Sequence, residues 1–158
     1  MSTENSLSSD MVIYTDGCCK GNPGVGGWGA TIRYQNKTKE IFGGVKDTTN
    51  NRMELNAVIE ALSFSKSFHT NIQIYTDSKY VKNGITLWTK SWIKSNWINS
   101  NKKPVKNKDL WTRLIKNCEL NNKIVWNWVK GHNGCKLNER SDYLANLGVQ
   151  KILKGINF

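Results

Sequence analysis

Four carboxylates stand in short, distinctive settings: Asp16 in Tyr14-Thr15-Asp16-Gly17, Glu54 in Asn50-Asn51-Arg52-Met53-Glu54-Leu55, Asp77 in Tyr75-Thr76-Asp77-Ser78, and Asp142 in Asn138-Glu139-Arg140-Ser141-Asp142. Asp16 and Asp77 close apolar stretches that read as strands. Glu54 and Asp142 fall early in stretches with helical periodicity. Brought to one place, such a cluster repels itself and needs a counter-charge, for which a divalent metal is the usual choice. The rest of the chain is strongly basic, with 23 Lys and Arg against 12 Asp and Glu and a net charge of +11. An acidic, metal-binding hole in a basic protein points to phosphodiester cleavage.

Singly, each acid has an ordinary explanation. Asp before Gly forms turns, Asp77-Ser78 suits a helix cap, and first-turn acids such as Glu54 and Asp142 complement the helix dipole. Their conjunction carries the inference, because four acids at one sheet edge would be costly unless neutralised. Oxygen ligands favour Mg²⁺, with Mn²⁺ as a substitute, over zinc. Two ions about 4 Å apart would grip the scissile phosphate, one lowering the pKa of the attacking water and the other stabilising the leaving oxygen. Asp16, on the innermost strand, is the candidate to bridge them. His132 lies in Trp128-Val129-Lys130-Gly131-His132-Asn133-Gly134, a Gly-flanked loop after the last strand. An imidazole there titrates near neutrality and suits a proton shuttle or product release. His69 has no motif around it and is assigned no role.

The elements that must position these groups follow from periodicity. Residues 11–15 and 28–34 read as strands, as do residues 39–45, with a hairpin turn at residues 35–37. The Gly-rich residues 21–27 read as a loop. Leu55, Val58, Ile59 and Leu62 mark one face of a helix over about residues 51–65, with Glu54 at the edge of that stripe, reaching the sheet rim without entering the core. Residues 72–76 form a short buried strand, a helix starts near Ser78, residues 124–129 make the last strand, and Asn138 caps a final helix. The order βββαβα(αα)βα predicts an α/β fold: a mixed five-stranded sheet, an antiparallel meander plus parallel strands, flanked by helices. Sites in such sheets gather where strands end and diverge, which would set Asp16 beside Asp77.

Residues 79–116 hold nine Lys and Arg113 against one acid, Asp109, interleaved with Trp88, Trp92, Trp97 and Trp111. Trp88 and Trp92, four apart, share a helix face. Some rings belong to the core, but four in so polar a stretch fit a nucleic-acid grip, with ammonium groups such as Lys94 tracking phosphates and rings packing on sugars. The length of 158 residues suits one domain spanning residues 11–158, this basic protrusion included, after a loose polar tail over residues 1–10. That polar tail lacks the basic start and apolar core of a signal peptide, and no apolar run approaches the length of a membrane span. Cys18, Cys19, Cys118 and Cys135 match no zinc spacing, so reduced thiols in a cytoplasmic protein are expected.

The six motifs Thr15-Asp16-Gly17, Gly21-Asn22-Pro23-Gly24, Asn50-Asn51-Arg52-Met53-Glu54-Leu55, Thr76-Asp77-Ser78, Trp128-Val129-Lys130-Gly131-His132 and Asn138-Glu139-Arg140-Ser141-Asp142 occur in one order. In these the chain resembles type 1 ribonuclease H of the bacterial kind. The resemblance implies hydrolysis of the RNA strand of RNA–DNA hybrids, leaving 5′-phosphate and 3′-hydroxyl ends. It implies that Asp16, Glu54, Asp77 and Asp142 are metal ligands and that His132 is auxiliary. Asn22 and Thr49 would meet DNA phosphates, and Asn50 and Asn51 the RNA strand, where neutral amides can read base edges and 2′-hydroxyls in a wide minor groove. Lys79 stands where many relatives carry Gln and would trade a groove contact for a phosphate contact. Val25 replaces a frequent Pro, and Cys135 exposes the His132 loop to oxidation.

A monomeric, Mg²⁺-dependent endonuclease is therefore expected. One rival is a non-catalytic binding module, against which the four acids argue, since negative charge near phosphates does not help a binder. The other is a strand-transfer enzyme, for which the chain has no room for a second-DNA domain.

Overall fold

The computed structural model describes residues 10–131 and 134–156. Of the expectations above, His132 and all of the N-terminal tail except Asp10 lie outside the described residues. Strands β1 (Met11–Lys20), β2 (Gly24–Tyr34) and β3 (Lys37–Thr48) form the antiparallel meander, and β4 (Ile72–Thr76) and β5 (Ile124–Trp128) extend it in parallel. The sheet order β3-β2-β1-β4-β5 places β1 at the centre. The helices are α1 (Asn50–Ser65), α2 (Lys79–Asn83), α3 (Thr89–Lys94), α4 (Lys108–Glu119) and α5 (Lys136–Leu153), with a π-helical turn over Gly84–Trp88 between α2 and α3. None of the described helices is long and apolar enough to cross a membrane.

One face of the sheet carries Met11, Ile13, Ile32, Ile72 and Ile74 against Leu55, Ile59 and Leu62 of α1 and Leu110, Trp111 and Leu114 of α4. These side chains are essentially buried. On the other face, α5 lies over β1, β2 and β3. That approach is close enough that a β-carbon at Gly27 would collide with the Ala145 carbonyl, and one at Gly29 would lie 2.6 Å from the Ser141 carbonyl. These glycines are therefore packing residues of a strand, and the loop expected at residues 21–27 shrinks to the turn before Gly24. The hairpin turn falls where expected but is one residue shorter: Gln35 and Asn36 both take positive φ, which suits a tight connection twisted like its strands, and β3 begins at Lys37.

Two further boundaries bear on the site. β1 does not stop at Asp16 but runs to Lys20, held by β2 through the pairs Asp16–Gly29 to Lys20–Val25. The last helix starts at Lys136, so Asn138 is a buried residue inside it rather than its cap, and Cys135 occupies the cap position. Asp142 is consequently its seventh residue, three positions deeper than a cap at Asn138 would set it, and Glu54 is the fifth of α1, one position deeper than expected.

Candidate active site

The final β1–β4 pair is Thr15–Thr76, after which β4 ends and β1 continues with β2 alone. Asp16 and Asp77 occupy the next position on each strand, side by side where the strands part. Of the Asp77-Ser78 pair it is Ser78 that caps the helix: Ser78 Oγ accepts from Val81 N at 3.1 Å, and Thr76 Oγ1 accepts from Ser78 N at 3.0 Å. The Asp77 carboxylate is thus left for the cluster.

Glu54 arrives from α1, whose start is fixed by Thr49, its hydroxyl accepting from Arg52 N at 3.3 Å. α1 passes so near β1 that a β-carbon on Gly17 would stand 2.5 Å from Glu54 N. Glu54 is therefore buried, 6% exposed, rather than resting at the rim. Asp142 arrives from α5, pinned by its neighbour: Ser141 Oγ donates to Tyr14 O at 2.8 Å and meets Thr31 Oγ1 at 2.9 Å. One carboxylate oxygen from each of Asp16, Glu54 and Asp77 lies within 4.8 Å of the others. Asp142 stands outside that group of three but near enough to Asp16 to raise its pKa.

Burial above all, then the charge of Asp77 and the hydrogen bond and charge of Asp142, push Asp16 from its ordinary 3.8 to about 8, against the opposing Gly17 N–H donated to Asp16 Oδ1. Glu54 is raised well above the carboxylate range by burial, then by Asp16 and Asp77. Its Oε1 is buried without a hydrogen-bond partner among the described residues. An all-oxygen donor set this close, with a buried oxygen unsatisfied and protons favoured when no cation neutralises it, fits a hard divalent ion.

The positions implied for substrate also converge. Asn22 Oδ1 accepts from Asn50 N at 3.1 Å, and Asn22, Thr49, Asn50 and Asn51 line a polar cavity of about 370 Å³ with Lys106 and Asn107. Sequence reasoning missed those last two, because no motif marks them and a left-handed backbone at Asn107 turns the chain into α4 there. In the protrusion, Trp88 is 37% exposed while Trp111 is fully buried, and Trp92 and Trp97 pack against the core. Trp88 and Trp92 do share a face, their rings 5.9 Å apart. Lys94 ends α3 in solvent, and the Lys79 ammonium lies 4.8 Å over the Trp128 ring.

A mixed sheet in this strand order, with carboxylates gathered where its central strands part, defines a class of α/β enzymes built on the ribonuclease H-like fold. The family model described as RNase H matches residues 8–150. Ribonuclease H of Hahella chejuensis is 57% identical over 141 residues, covering 89% of this chain and 94% of the relative. Among solved structures, LC9-RNase H1, a type 1 RNase H with the type 2 active-site motif, superposes with a TM-score of 0.79 at 29% identity, covering 89% of this chain and 72% of that one. LC11-RNase H1 in complex with an RNA/DNA hybrid shares the fold, with a TM-score of 0.72 at 24% identity over 91% of this chain and 99% of that one. The chain belongs to the RNase H family of enzymes.

Proposed function

We infer that the protein hydrolyses the RNA strand of RNA–DNA hybrids endonucleolytically, leaving 5′-phosphate and 3′-hydroxyl ends, as a cytoplasmic monomer. The convergence of Asp16, Glu54 and Asp77 within 4.8 Å, in a chain of net charge +11, is the observation that carries this reading. Asp16, Glu54, Asp77 and Asp142 would hold Mg²⁺, in a pair when substrate is present, with Mn²⁺ as a substitute. Bound there, the metal supplies Lewis-acid stabilisation of charge on the reacting phosphate and its nucleophile. The chain's own groups do the rest. Asn22 and Thr49 receive the DNA strand, and Asn50 and Asn51 receive the RNA strand, all four lining one cavity. Lys79, Trp88, Trp92 and Lys94 hold the duplex along the protrusion. His132, after the last strand, moves a proton or helps release product.

The test presents one labelled RNA paired with DNA, paired with RNA, and single-stranded, with Mg²⁺ and with chelator. Mg²⁺-dependent cutting of the hybrid alone is expected. Tight hybrid binding with no cutting of any form would instead make this a binding protein.

A further inference from the structure

The edge of the sheet beside Asp77 carries an arrangement that the reaction as described does not use. Beyond the Thr76–Trp128 pair that ends the β4–β5 ladder, two successive carbonyls of the chain around Asp77 are held by residues from β5 onward. Val129 N donates to Thr76 O at 2.9 Å, and Trp128 Nε1 donates to Asp77 O at 3.0 Å. The second bond comes from a side chain and continues the ladder one position further than the strands do. A few residues on, the chain passes over the Asp77 carboxylate so closely that a β-carbon on Gly131 would lie 2.8 Å from Oδ2. The same indole presents its ring to Lys79, whose ammonium sits 4.8 Å from the centroid. Trp128 remains 39% exposed on an edge strand. Besides the apolar area the ring covers, it makes two directed contacts.

We propose that Trp128 is a positioning residue whose indole N–H fixes the Asp77 main chain while its ring face seats the Lys79 ammonium, so that one side chain sets both a carboxylate of the acidic cluster and the cation beside it. Losing the N–H frees the Asp77 peptide and loosens a metal-binding oxygen. Losing the ring frees Lys79 to sample many rotamers, and the cation must then be ordered anew when a phosphate arrives. The two functions are separable by chemistry, since phenylalanine keeps a ring and has no donor. This proposal rests on the hybrid-cleavage reading for its substrate, but its metal arm does not.

The experiment compares wild type, Trp128→Phe, Trp128→Leu and Lys79→Gln. Three quantities are measured: Mn²⁺ affinity by calorimetry on the free protein, the salt dependence of hybrid binding in chelator, and kcat and KM with Mg²⁺. Trp128→Phe is expected to weaken Mn²⁺ about fivefold, the worth of one ordinary hydrogen bond, and to lower kcat while leaving the salt slope at the wild-type value. Lys79→Gln is expected to lower the salt slope by about one and raise KM with Mn²⁺ affinity unchanged. Trp128→Leu should show the metal defect together with weaker hybrid binding. Wild-type Mn²⁺ affinity in Trp128→Phe overturns the proposal, as does wild-type hybrid affinity in Trp128→Leu. If the wild type itself cuts no hybrid, the functional reading fails, and the calorimetric arm still decides the role of Trp128.

Discussion

Gly17 faces Glu54 so directly that a β-carbon at position 17 would stand 2.5 Å from the Glu54 nitrogen and 2.6 Å from the Met53 carbonyl carbon. The obstacle is helix backbone, which cannot swing aside as a flexible side chain can. Gly17→Ala must therefore move α1 away from β1 and carry Glu54 out of reach of Asp16. Activity should fall about 100-fold or more, because misplacement by about 1 Å costs that much. Stability should fall by about 2–3 kcal/mol through overpacking, read by denaturant titration beside the kinetics.

Burial of the carboxylates, together with their mutual repulsion, should make the metal-free protein sensitive to alkali. With its folded pKa raised to about 8, Asp16 binds more protons folded than unfolded. Its contribution to stability is thus complete below its ordinary 3.8 and is lost as pH rises through about 8. Glu54 shifts in the same direction. In chelator, Tm should fall across this window, and Mg²⁺ should restore it most at the alkaline end. Asp16→Asn should raise the metal-free Tm at pH 8 by about 5 °C, roughly 2 kcal/mol for a chain this size, and abolish the Mg²⁺ effect. A Tm that ignores pH between 4 and 8 would remove the cluster from the account of stability.

Tyr80 ties the basic stretch to α1, the helix that carries Glu54. Its hydroxyl accepts from Asn107 Nδ2 and from Trp111 Nε1, each at 3.0 Å, while Asn107 Oδ1 accepts from Arg52 at 3.2 Å. Arg52 also pairs with both oxygens of Asp109. Tyr80→Phe strands two donors and should cost about 2 kcal/mol, visible as a lower Tm with kcat changed far less than in the carboxylate variants.

Replacing Trp88 and Lys94 together with alanine should weaken hybrid binding about tenfold or more and flatten its salt dependence by about one ion equivalent. Binding measured in chelator at several salt concentrations checks this. An unchanged slope would place the grip elsewhere.

Where a signal is local, the sequence carries it. The β-branched run Val12-Ile13 and the Ile72-Gln73-Ile74 alternation locate two strands, and Leu55, Val58, Ile59 and Leu62 locate α1. From those elements the adjacency of Asp16 and Asp77 already follows. Features decided by tertiary contact are not legible. β1 continues through Gly17, Cys18 and Cys19, which have little strand preference of their own, because β2 pairs with them. Gly26 and Gly27 look like loop residues but are demanded by neighbours pressed against the sheet. Trp111 looks like part of a basic, substrate-gripping stretch yet fills the core, where a β-carbon on Gly84 would collide with its ring. Lys106 and Asn107 meet Asn22 and Thr49 only in space.

On the proposed reading, Asp77, beside Asp16 at the parting of β1 and β4, belongs to a metal-dependent cleavage site. Its most direct test is Asp77→Asn, assayed in parallel for single-turnover cleavage of an RNA–DNA hybrid with Mg²⁺ and for hybrid affinity. Cleavage should fall by several orders of magnitude while affinity holds or tightens, since a negative charge near phosphate is removed. Wild-type cleavage by Asp77→Asn would contradict the assignment.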